Sequence, residues 1–116
     1  MGQRRVLLSF NHAPYGSVFY TEGLRAAVGV TSGIDEHTVD VLYLGDGVHF
    51  ARKGVERTDS ARYLATLSAQ GVNLKVEKDA LEERGINEAD LADDVEVISR
   101  DQALDLIRRA DLTIDF

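Results

Sequence analysis

Val6-Leu7-Leu8-Ser9-Phe10, then Asn11-His12-Ala13-Pro14-Tyr15-Gly16, then a helical pattern opening at Ser17: this stretch decides how the rest of the chain is read. The apolar run has the length of a strand buried on both faces, as central strands of parallel sheets are. Pro14 and Gly16 break the extended chain, and the Ser17 hydroxyl stands where a helix cap is needed. Tyr20, Leu24, Ala27, Val28 and Thr31 then recur at intervals of three and four, which predicts a helix over Ser17–Ser32 stopped by Gly33. Gly23 and Gly29 each cost such a helix about 1 kcal/mol relative to Ala, so their expected use is close packing against the sheet. In a strand–loop–helix unit the loop beyond the strand's carboxyl end is where open α/β sheets bind ligands, and the helix start offers free N–H groups. Asn11, His12, Pro14, Tyr15, Gly16 and Ser17 are therefore the first candidates for a ligand or interface loop.

The pattern repeats outward from there. Val39–Leu44 reads as a second strand, followed by the tight turn Gly45-Asp46-Gly47 and one helical turn over Val48–Lys53. Asp59 is expected to cap a helix with Ala61, Leu64, Ala65 and Ser68 on its inner face and Gly71 as its stop. Val72, Leu74 and Val76 alternate with Asn73, Lys75 and Glu77, the period of a strand with one apolar and one polar face. A short helix over Asp79–Arg84 closes at Gly85, and the acidic Asn87–Asp94 segment reads as a loop or frayed turn. Val95–Ile98 is the fourth strand. Ser99 and Gln102 form a capping box for a helix in which Ala103, Leu104 and Ile107 are expected to face inward. Leu112, Ile114 and Phe116 alternate with Thr113 and Asp115 in a last strand, and an alternating terminal strand is expected at a sheet edge. Strands alternating with helices predict an α/β fold, a three-layer α/β/α sandwich around a mainly parallel five-stranded sheet, in one domain over residues 1–116.

Composition narrows the function. The 116 residues include no cysteine, so there is no disulfide, no thiolate zinc ligand and no thiol nucleophile. A net charge of −7 leaves no basic stripe to release the counterions of a phosphate backbone, so direct nucleic acid binding is not expected. The apolar stretch after Gln3-Arg4-Arg5 is too short for a signal peptide or a membrane span, and a cytoplasmic, membrane-free protein is the expectation. Neither phosphate-loop spacing, G-x-G-x-x-G nor G-x-x-x-x-G-K-[ST], occurs, and Gly45-Asp46-Gly47 is only a fragment of one.

Ala13-Pro14-Tyr15-Gly16-Ser17, Glu22-Gly23-Leu24 and Leu44-Gly45-Asp46-Gly47-Val48 stand in an order and spacing that resembles the DsrE/DsrF-like family, most of all its TusC/DsrF type. The match extends through Leu81-Glu82-Glu83-Arg84-Gly85 to Ala110–Phe116 and so covers nearly the whole chain. The resemblance implies a DsrE-like fold, flavodoxin-like in outline, and assembly with DsrE-fold subunits that relay sulfur towards tRNA thiolation or in sulfur oxidation. In that family the DsrE/TusD-type subunit carries the sulfur on a cysteine near the end of the third strand. Glu77 stands at that position here. Only a thiolate can attack and hold another sulfur atom, so the resemblance implies a partner subunit that is not itself the carrier, with no cofactor and no catalytic residue.

The residues themselves leave alternatives open. His12, Asp46 and His49 follow the first two strands and belong to one sheet edge, where two imidazoles and a carboxylate can bind a metal or exchange protons; equally, loop residues are polar because loops are wet. His37 belongs to the opposite edge. Tyr15, Phe19 and Tyr20 suit either a subunit interface or the core. Glu82, Glu83, Arg84 and the Asn87–Asp94 run suit a solvated face or a dock for a basic partner. A homo-oligomer of the same fold, holding a small anion at the Asn11–Ser17 loop and the Gly45-Asp46-Gly47 turn with His49 beside it, is the alternative to the relay subunit.

Overall fold

A computed structural model describes residues 4–11, 24–29, 38–52, 61–69, 71–72, 74–92 and 95–116. Its strands are β1 (Arg5–Phe10), β2 (Thr38–Tyr43), β3 (Leu74–Glu77), β4 (Val95–Ile98) and β5 (Leu112–Asp115). They form one sheet in the order β4-β3-β2-β1-β5, and every pairing is parallel. The apolar run that begins the chain is indeed interior. β1 lies between β2 and β5, and Val6 to Phe10 are all buried.

Parallel neighbours need crossovers, and helices supply them. Residues 24–29 are helical (α1), followed by α2 (Ala61–Ala69), α3 (Lys78–Glu83) and α4 (Arg100–Arg109). Three successive steps move one way along the sheet, from β1 to β4; the last returns across three strands to β5. Right-handed crossovers therefore put α1, α2 and α3 on one face and α4 on the other. The two clusters of buried residues agree. Val6, Leu8, Phe10, Val41, Tyr43 and Val76 pack with Leu24, Ala27, Leu64, Leu67, Ala80 and Leu81, whereas Leu7, Leu42 and Ile98 pack with Ala103 and Leu106. The α4 face is otherwise polar. By register it carries Ser9, Asp40, Lys75, Glu77, Glu96, Thr113 and Asp115.

Several local readings need correction. Gly29 packs against nothing, because a Cβ built there meets no atom within 4 Å, so close approach to the sheet is not its use. On α2 the inward residues are Leu64 and Leu67, while Ala65 and Ser68 are exposed; the larger side chains win the sheet contact. On α4 they are Ala103 and Leu106, whereas Leu104 (42% exposed) and Ile107 (39%) point outward. The polar face of β3 is not a wet one: Lys75 is half-buried over Asp40 (3.6 Å) and Glu77 is 8% exposed. The turn after β2 is a 3-10 helix that starts at Gly45 and runs to Ala51, not one that starts at Val48. A second short 3-10 helix, Glu88–Asp90, lies within the acidic segment. The capping box of α4 is as read, Gln102 N–H donating to Ser99 Oγ (3.1 Å) and Ser99 N–H to Gln102 Oε1 (2.9 Å). The expected Ser17 and Asp59 caps lie outside the described residues.

Candidate functional site: a buried carboxylate at the sheet's carboxyl edge

The carboxyl ends of β1 and β2 are locked together before any site begins. Leu44 N–H donates to the Phe10 carbonyl (3.0 Å) and Gly47 N–H to the Leu44 carbonyl (2.8 Å). This brings the 3-10 turn so close to β1 that a Cβ on residue 47 would sit 1.8 Å from the Phe10 carbonyl oxygen. Only glycine fits. Gly45 turns the chain with φ +49°, a region where L side chains are strained. On the other side of β1, Ser9 Oγ donates to Asp115 and receives the Asn11 amide (3.3 Å), while the Asn11 N–H bonds the Phe116 carbonyl (2.9 Å). Asn11 thus fastens the β1–β5 edge.

In open α/β sheets ligands lie beyond the carboxyl ends of the strands. Here β3 leads to α3 on one face and β4 to α4 on the other, so the two connections diverge between the ends of β3 and β4. Glu77, the last residue of β3, sits there with its carboxylate buried. Its partner is Arg100, the first residue of α4, whose Nη2 and Nε lie 2.9 and 3.3 Å from Glu77 Oε1. Arg100 also reaches Asp79 (3.5 Å) and Glu83 (3.4 Å). Glu83 in turn contacts Arg84 (3.6 Å), and Arg84 Nε holds Asp46 (3.0 Å). A line of alternating charge therefore runs along the edge from the turn after β2 to the start of α4. The hydrogen bond that Arg100 donates to Glu77, and then the charge of that carboxylate, raise the Arg100 pKa above its ordinary value despite some desolvation, so this guanidinium stays charged throughout the working pH range.

The residues singled out from sequence divide accordingly. His12, Pro14, Tyr15, Gly16 and Ser17 lie outside the described residues. Gly45 and Gly47 shape the turn as described. Asp46 is exposed and turned to Arg84, which is not the posture of a free metal ligand. His49 is half-buried in the 3-10 turn, with its Nδ1 buried and without a hydrogen-bond partner. Among the described residues no group of three or more His, Asp or Glu can hold a metal ion.

Arg100 was missing from the sequence reading. Its pairing with Glu77 spans 23 residues and leaves no local pattern. One signal existed: a cation in the first turn of a helix opposes the helix dipole, and so calls for a specific anionic partner.

Solved structures share this architecture. The ychN protein of E. coli superposes with a TM-score of 0.80 at 26% identity, covering 98% of this chain and 99% of that one. A protein of unknown function from Methanobacterium thermoautotrophicum, MTH1491, gives 0.76 at 18% identity, covering 98% and 100%, a likeness of fold alone. In sequence, the chain is 27% identical over 113 residues to a TusC homolog of Vibrio parahaemolyticus, spanning 92% of this chain and 94% of the relative. The model of the DsrE/DsrF-like family matches residues 4–116, and the chain belongs to that family.

Proposed function

We propose that this chain is a TusC/DsrF-like, non-catalytic subunit of a cytoplasmic sulfur relay, assembled with DsrE-fold chains of which one carries the sulfur on a cysteine. The observation that carries the reading is Glu77. At the end of β3, where the resemblance puts the family's cysteine, this chain has a buried carboxylate held by Arg100. A carboxylate oxygen cannot form a stable bond to sulfane sulfur, and the 116 residues hold no thiol elsewhere. In a relay, the partner's thiolate attacks the outer sulfur of a donor persulfide and the donor thiolate leaves. This chain's share is to fix the geometry of that partner. The relay serves either tRNA thiolation or sulfur oxidation, and the net charge of −7 leaves contact with any tRNA to other subunits.

The alternative, a stand-alone protein holding a small anion at the loops after β1 and β2, has less support. The Asp46 carboxylate stands on that turn, and Arg84 beside it is already paired with Asp46.

The test is a transfer assay with a cysteine desulfurase, labelled cysteine, this protein and a co-purified cysteine-bearing DsrE-fold chain. Label should collect on the partner alone, and faster when this chain is present. A partner loaded at the same rate with and without it contradicts the proposal.

A further inference from the structure

α4 rests on the polar face of the sheet through few side chains. Ala103 and Leu106 pack against Leu7, Leu42 and Ile98, a narrow contact in which one partner is only a methyl group. Beside that contact, towards the edge strand β4, the helix stands clear of the polar residues of β3 and β4. The space left is a groove of about 410 Å³, walled by α4 on one side and by β3 and β4 on the other. That volume falls among those of small-molecule sites, about 300–1,000 Å³. The groove is separate from the Glu77 and Arg100 pair, neither of which lines it.

Its charges are unevenly matched. Lys75 lines the groove with its ammonium paired to Asp40 (3.6 Å), and Arg109 lines it with its guanidinium paired to Asp105 (2.9 Å). The other two ionised groups of the lining, Glu96 and Asp101, hold no ion pair among the described residues. Glu96 stands on the sheet wall and Asp101 on the helix wall. Ile98 falls between them along the chain, and with Leu106 it supplies the apolar part of the lining. The wall thus reads carboxylate, apolar surface, carboxylate. An anion would have to take Lys75 from Asp40 or Arg109 from Asp105, and would meet two more carboxylates. An aliphatic stem with an ammonium at each end meets every part of the lining favourably, and the net charge of −7 assists its approach. We propose that the groove between α4 and the β3–β4 face binds an aliphatic diamine, one ammonium at Glu96 and the other at Asp101, with the methylene stem on Ile98 and Leu106. Both carboxylates are exposed, so the affinity is modest and falls as salt rises. The proposal is independent of the relay reading, which concerns Glu77 and a different chain.

Calorimetric titration of the full chain at low ionic strength tests it, with putrescine, n-butylamine and succinate as probes. Putrescine binds at one site per chain. Butylamine keeps the stem and loses one charge, so it binds at least about threefold more weakly, and succinate, with the opposite charges, gives no binding heat. Glu96→Gln and Asp101→Asn each weaken putrescine by at least about threefold, and each brings it close to butylamine. Glu82→Gln, on α3 across the sheet, removes one charge outside the groove and leaves binding unchanged. All three positions are exposed, so folding is retained and is checked by circular dichroism. No saturable binding of putrescine at millimolar concentration, or butylamine bound as tightly as putrescine, overturns the proposal. So does a loss in Glu82→Gln as large as in Glu96→Gln, which is the mark of diffuse attraction to an acidic protein. Sulfur transfer to a cysteine-bearing partner without putrescine binding sinks this proposal alone; putrescine binding without that transfer sinks the relay reading alone.

Discussion

Replacing Gly47 by alanine is the sharpest perturbation the fold offers. The added methyl would stand 1.8 Å from the Phe10 carbonyl oxygen, 2.5 Å from its carbon and 3.1 Å from the Asn11 nitrogen, all backbone atoms that no rotamer change can remove. An unstrained carbon–oxygen contact needs about 3.3 Å, so the turn and the end of β1 must separate by roughly 1.5 Å. Two hydrogen bonds are stretched by that movement, Gly47 N–H to Leu44 and Leu44 N–H to Phe10, at 2.8 and 3.0 Å in the native fold. Each buried polar group left without a partner costs about 1–3 kcal/mol, which puts the loss at about 2–6 kcal/mol for the two bonds, a large part of a small domain's stability. Gly29→Ala supplies the control: a helical residue with open space around it should gain about 0.5–1 kcal/mol. Urea denaturation of wild type and both variants measures the pair. A Gly47→Ala loss below about 1 kcal/mol would refute the close approach of the turn to β1.

The orientation of α4 predicts that Leu106→Ala costs about 2–4 kcal/mol in chemical denaturation, whereas Leu104→Ala stays within about 0.5 kcal/mol. Ser99→Ala removes the side-chain half of the capping box and should cost about 1 kcal/mol, with faster amide exchange confined to the first turn of α4. Arg100→Gln strands the buried Glu77 carboxylate and should lower the denaturation midpoint more than Glu77→Gln, which leaves an exposed guanidinium still served by Asp79 and Glu83. Asp46→Asn breaks an exposed pair with Arg84 and should change stability by less than about 1 kcal/mol, less still in high salt.

The features legible in the sequence were those set by short-range chemistry. The buried run at β1, the bounds of β4, the Ser99–Gln102 box and the positive-φ glycines 45, 71 and 85 each declare themselves within a few residues. The errors lie where tertiary contact chooses among local options. Residues 103, 104, 106 and 107 are all apolar, so α4 has two overlapping stripes, and only the sheet beneath it selects Ala103 and Leu106. α2 makes the same choice in favour of Leu64 and Leu67 over the smaller Ala65 and Ser68. At the site, Glu77 was reached through the family resemblance, which puts a cysteine near the end of β3, but the cation holding it comes from the start of α4, after the next strand. The Asp46 and Arg84 pairing was equally hidden, since 38 residues separate them. Seen from sequence, Asp46 looked available to a metal; in the fold it is one link in a chain of charge.

The central claim is that this protein supports sulfur transfer without bearing the sulfur. Its most direct test is intact mass measurement of every subunit in the complex recovered under non-reducing conditions from cells supplied with a sulfur donor. The account predicts a cysteine-bearing DsrE-fold partner heavier by one or more sulfur atoms and this chain at its unmodified mass. Sulfur found covalently on this chain, or a complex containing no cysteine-bearing relative, would contradict it.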